Sequence, residues 1–169
     1  VVIFLTMAWA GYSLQIARTG AGSAPRLAIG LLQLRELGVL NGDDPLLYQF
    51  FSYQFLHAGL AHLAGNMLFL WVFGNPVNAK MGHGPYLLFY LAGGVFAATV
   101  YLLGKDASMV GASGAIAAVT TAYLALFPRS YITIVYWFIF IGTFELPSMI
   151  MIILKMILWD NILAARWVG

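Results

Sequence analysis

From Tyr86 to Leu103 the chain carries no charged side chain, and several other stretches are almost as bare. A helix crossing a bilayer needs about 20 predominantly apolar residues, because inside hydrocarbon each backbone polar group has to be satisfied within the helix itself. Runs of that kind narrow the choice to membrane architectures. Charged residues make up 8% of the 169 positions and apolar ones 62%, so most apolar surface meets lipid rather than a protein core. The formal net charge is only +2, with the basic residues scattered, which argues against a nucleic-acid partner. The chain has no cysteine, which excludes disulfides, thiolate metal sites and a cysteine nucleophile together.

Taken in order, the pattern predicts an all-α, polytopic membrane helix bundle forming one domain over residues 1–169. Val1 to about Ala17 is the first candidate span. Residues 18–53 form a long first loop holding Arg18, Arg26, Arg35, Glu36, Asp43 and Asp44, expected to be partly re-entrant or interfacial. Ala58 to Val77 is a second span, which Asn75-Pro76 is expected to break ahead of a polar turn with Lys80 and His83. Tyr86 to Leu103 and Gly111 to Phe127 follow, the latter stopped by Pro128-Arg129. Tyr131 to Thr143 reads as an interface segment or short helix. A last span starts at Pro147, with Glu145 as the acid favoured ahead of a helix. That makes about five spans.

Polar groups at membrane depth are costly, so each invites a functional hypothesis. His62 and Asn66 are four apart and share one side of a helix. Ser113 stands between glycines in Gly111-Ala112-Ser113-Gly114, at the entrance of an apolar run. Glycine admits close approach, and a helix N-terminus offers unpaired amide groups beside the hydroxyl. With the second span leaving one face and the third returning to it, the fourth starts level with the second. His62, Asn66 and Ser113 then meet at similar depth. An imidazole and a carboxamide beside a serine can donate to an oxyanion; the alternatives are interhelical hydrogen bonding and a small-residue packing face. No H-E-x-x-H occurs, and no pair of aspartates lies within spans, so zinc and aspartyl chemistry are set aside. His83, beside Gly82 and Gly84, is assigned a solvated structural role.

The stretches Phe55-Leu56-His57-Ala58-Gly59-Leu60-Ala61-His62-Leu63-Ala64-Gly65-Asn66, Gly111-Ala112-Ser113-Gly114 and Glu145-Leu146-Pro147, in this order, resemble the rhomboid family of intramembrane serine proteases. The resemblance implies a six-helix bundle whose water-filled cavity opens to the extracytoplasmic side. It also implies Ser113 as nucleophile, an oxyanion hole made by His62, Asn66 and the Ser113 amide, and supporting roles for Gly111, Gly114 and His57. The substrates would be transmembrane segments of other proteins, with no metal or cofactor. The family's Trp-Arg pair is missing from the first loop. So is its general base, a histidine in an Ala-His setting on a sixth helix.

The chain opens on Val1 and stops where that helix would begin, so the expectation is an incomplete chain from an ordinary protease. The alternative is a non-catalytic rhomboid-like protein that binds clients or serves as an accessory subunit of a larger membrane complex. A transporter fits poorly, because the spans hold few polar residues and show no inverted repeat. A bacterial inner (plasma) membrane with the site on its outer side is expected, although Arg18, Arg26, Arg35, Lys105 and Arg166 on that face run against the positive-inside rule.

Overall fold

The computed structural model describes residues 37–104, 108–136 and 142–157. The first candidate span, the loop ahead of Leu37 and the residues after Ile157 lie outside the described residues. Within them the fold is predominantly helical.

A short helix α1 (Gln49–Ser52) runs into a 3₁₀ turn, Tyr53–Phe55. The chain then passes through an extended Gly59 into α2 (Leu60–Phe69), turning by 96° between the two pieces. A π-helical turn (Leu70–Gly74) joins α2 to α3 (Asn75–Met81). Pro76 does not break this run. Its missing N–H would leave an α-helical carbonyl unmatched, and the wider turn just ahead of it absorbs the irregularity. The stop comes at Gly82, whose φ of +85° is open to glycine at little cost, and whose N–H caps the Asn78 carbonyl at 2.8 Å.

Helix α4 (His83–Gly104) follows at once and has 22 residues, about 33 Å at 1.5 Å per residue. It carries Leu88, Phe96 and Leu103 on its exposed surface, as a lipid-facing helix does. Among the described residues it is the one helix long and apolar enough to cross a membrane, or one of two if the bent pair from Gln49 to Met81 counts as a span. Helix α5 (Ser113–Leu126) is shorter, with 14 residues.

Helices α4 and α5 press together through small residues. A Cβ on Gly93 would come 2.5 Å from the Ala118 methyl, and one on Gly114 would come 2.6 Å from the Ala97 methyl. In lipid, where burial against a neighbour gains little hydrophobic energy, such close contact is what holds helices together. Against this pair sits an aromatic layer. Phe69 stacks on Phe73 at 6.0 Å, and Phe73 meets Tyr123 edge-on at 5.0 Å, with Ile116 and Val119 filling the space between.

The segment from Tyr131 departs from expectation. Instead of a short helix it forms a hairpin of β1 (Tyr131–Tyr136) and β2 (Gly142–Pro147), paired antiparallel with Tyr131 opposite Pro147 and Tyr136 opposite Gly142. Tyr-Ile-Thr-Ile-Val-Tyr is β-branched and aromatic throughout, a composition that favours a pleated surface over a helix. Glu145 lies on β2 opposite Thr133, exposed, and is not in the first turn of a helix. The hairpin is closed at its base by Ser148 N–H donating to the Ser130 carbonyl (3.0 Å) and by a 2.7 Å contact between the two hydroxyls. Helix α6 (Ser148–Leu154) begins there and buries Ile152 against the core. One turn on, Lys155 is buried and holds its ammonium 5.7 Å from the centre of the Phe69 ring.

Candidate active site

Helix α2 presents His62 and Asn66 on its buried side, with exposures of 8% and 0%. The four-residue spacing and the inward turn of the apolar face put both on the flank that meets the start of α5. The chain reaches α5 through Gly111, whose φ is +114°. Here the positive φ and the available space both demand glycine, since a Cβ would lie 2.8 Å from His62 Cε1 and 3.2 Å from its Nε2. The His62 imidazole therefore occupies the place a side chain at Gly111 would need. Gly111 meets an imidazole rather than a helix backbone.

Ser113 is the first residue of α5 and is half-buried. Ala112 ahead of it offers no side-chain cap, so Ser113 stands at the positive end of the helix dipole, among the first amide groups, which have no partner within the helix. Such a setting stabilises negative charge. Asn66 on α2 has an amide whose Oδ1 and Nδ2 are buried and make no hydrogen bond among the described residues. Leaving a buried polar group unmatched costs about 1–3 kcal/mol, and groups of this kind ask for an explanation beyond packing.

His57 lies in the link between the 3₁₀ turn and α2, buried, its ring edge-on to His62 at 5.4 Å and 72°. Burial, with the neighbouring His62 adding to it, lowers its pKa from the ordinary 6.5 to about 4, against a hydrogen bond with the Phe55 backbone. His57 is thus a neutral neighbour of His62. His83 stands elsewhere, exposed at the head of α4, with Nδ1 3.1 Å from Asn78 Oδ1.

Two residues near the site did not stand out in the sequence. Tyr53 is fully buried; its carbonyl accepts the Gly111 N–H at 2.9 Å and its hydroxyl donates to the Gly94 carbonyl at 2.7 Å. Gln54, equally buried, lies against Gly94 and donates to the carbonyls of Phe50 (3.0 Å) and Leu91 (3.4 Å). A glutamine just ahead of an apolar run was the available signal. Among the described residues no group of three His, Asp or Glu side chains is placed to hold a metal ion.

A family model for the Rhomboid domain matches residues 45–167, which takes in the whole of this site. The chain belongs to the rhomboid family. This rhomboid is 44% identical over 61 residues to Rhomboid protease GluP of Bacillus subtilis, a stretch covering 36% of this chain and 12% of that protein. It is 42% identical over 79 residues to Rhomboid-like protein 11, chloroplastic, of Arabidopsis thaliana (46% of this chain, 28% of the relative). It is 33% identical over 98 residues to human Presenilin-associated rhomboid-like protein, mitochondrial (55% and 25%). The match therefore covers between 12% and 28% of these relatives' own length. No solved structure gives a significant match. Family membership makes the rhomboid an integral membrane protein. The relatives come from a bacterium, a chloroplast and mitochondria, so the bacterial inner membrane expected from sequence is one of several homes the family occupies.

Proposed function

We propose that this rhomboid carries the serine, the oxyanion donors and the supporting glycines of an intramembrane serine protease that cleaves transmembrane segments of other proteins. The observation that carries the reading is the seating of the His62 ring on Gly111, which joins the polar flank of α2 to the turn that presents Ser113. The fold is a polytopic bundle, with α2–α3, α4 and α5 crossing or entering the bilayer and the site near one of its surfaces. In the reaction the Ser113 oxygen attacks the scissile carbonyl, and its proton passes to a base. The carbonyl oxygen becomes an oxyanion held by the Ser113 amide, His62 and Asn66, each donor worth about 10²–10³ in rate. The family's general base, a histidine in an Ala-His setting followed by glycines on a sixth helix, is matched by none of His57, His62 and His83, so the proposed reaction needs an imidazole that these three do not supply. A substrate helix has to unwind locally to expose a peptide bond, which favours small or helix-breaking residues near the cleavage point.

The test is cleavage of a transmembrane substrate by the full-length protein in membranes, compared with Ser113→Ala. Cleavage abolished by the substitution supports the reading, and equal cleavage refutes it. The second reading is a non-catalytic rhomboid-like protein that binds membrane clients or joins a larger complex. It draws on the same histidine count and is favoured if the full-length protein holds its clients without cutting them.

A further inference from the structure

Tyr53 touches the turn that presents Ser113 at both of its ends. Its carbonyl takes the Gly111 N–H at 2.9 Å. Its hydroxyl lies 3.4 Å from where a Cβ on Gly114 would be, and donates to the Gly94 carbonyl of α4 at 2.7 Å. Through its backbone carbonyl and its buried hydroxyl, Tyr53 thus ties the 3₁₀ turn, the entry to α5 and the middle of α4 together. Gln54 beside it fills the space over Gly94 and bonds the Leu91 carbonyl, which stops the 3₁₀ turn from rotating about the Tyr53 hydroxyl. On the other flank, His62 abuts Gly111. The entry to α5 is gripped from two sides, and on the Tyr53 side the grip is a backbone hydrogen bond to Gly111.

We propose that Tyr53 is a positioning residue for Ser113, fixing how the entry to α5 sits against α4 through its paired bonds to Gly111 and Gly94. This rests on the reading of Ser113 as nucleophile. Tyr53 touches no substrate; it acts through the backbone of the turn. Releasing its hydroxyl breaks the link that runs from the α5 entry through Tyr53 to Gly94, so the entry is no longer tied to α4 at this point. A displacement there misaligns the attacking oxygen with its oxyanion donors while leaving the substrate-binding surface in place.

The experiment uses the full-length protein in membranes, with Tyr53→Phe, which keeps the ring and removes the donor. A transmembrane substrate gives kcat and KM. A fluorophosphonate gives the rate of Ser113 phosphonylation per molecule of protein present. The expected result is a fall of about tenfold in kcat and in phosphonylation rate, with KM unchanged. Unchanged rates per molecule, even with less protein in the membrane, overturn the proposal, because Tyr53 would then serve stability alone. Should Tyr53→Phe accumulate poorly, expression at lowered temperature supplies the folded fraction, on which the phosphonylation rate per molecule is read with the same expected loss and the same overturning result. If wild type and Ser113→Ala cleave alike, the nucleophile assignment fails and takes this proposal with it. If Ser113→Ala is dead while Tyr53→Phe is fully active, only the positioning role fails.

Discussion

The imidazole of His62 stands where a side chain on Gly111 would have to be, 2.8 Å from the position of the missing Cβ. A backbone φ of +114° at the same residue makes the turn doubly dependent on glycine. The pairing brings a histidine of one helix to the entrance of another, two residues ahead of the serine.

Gly111→Ala is therefore expected to be severe. The methyl group forces His62 away while the backbone resists its left-handed setting, a combination costing about 1–3 kcal/mol. Thermal unfolding in detergent should show a lowered midpoint, and substrate cleavage should be lost. A variant with wild-type stability and cleavage would show that His62 does not rest on this turn.

Asn66 gives the opposite signature. Its amide is buried without a hydrogen bond among the described residues, so Asn66→Leu removes an unmatched polar group and is expected to leave stability level or slightly raised. Cleavage should drop by about 10²-fold or more, the usual effect of losing one oxyanion donor. Denaturation and turnover measured on the same preparation separate the two effects. A loss of stability without a loss of turnover would make Asn66 a packing residue.

His57 predicts a pH dependence. Its pKa falls from 6.5 in the unfolded chain to about 4 in the fold, so between those values the unfolded state takes up the proton first. Stability is fully present above about pH 6.5 and declines as pH falls towards 4, by up to about 3 kcal/mol for this group. His57→Gln should flatten that part of the stability curve. Parallel curves for the two proteins would place His57 in solvent.

At the seam of α4 and α5, Gly93→Val should force the helices apart against Ala118, whose methyl already lies 2.5 Å from a Cβ position at Gly93. Overpacking of this kind costs about 1–3 kcal/mol. Gly104→Val, at a position with open space around it, is the control and should unfold like the wild type.

Much of this was legible in the sequence, because lipid imposes a simple rule. Helices inside it have to be long and apolar, which exposed α4 directly, and polar residues within such helices stand out, as His62 and Asn66 do at one-turn spacing. Glycines around Ser113 marked the turn. The same rule hid the β-hairpin, since Tyr131-Ile132-Thr133-Ile134 is as apolar as a membrane helix and betrays itself only through β-branching. Pro76 misled for a related reason: a proline signals a break, but a π turn placed before it lets the helix continue. The partners of Tyr53 were out of reach. Nothing local in Gly94 or Gly111 tells which side chain will lie against it, and that depends on how three separate elements pack.

The nucleophile is the centre of all this, and mass spectrometry of the full-length protein after fluorophosphonate treatment in membranes tests it most directly. The expected adduct lies on the peptide containing Ser113, is absent in Ser113→Ala and forms more slowly in His62→Ala. An adduct on another serine, or none from a preparation that cleaves its substrate, would contradict it.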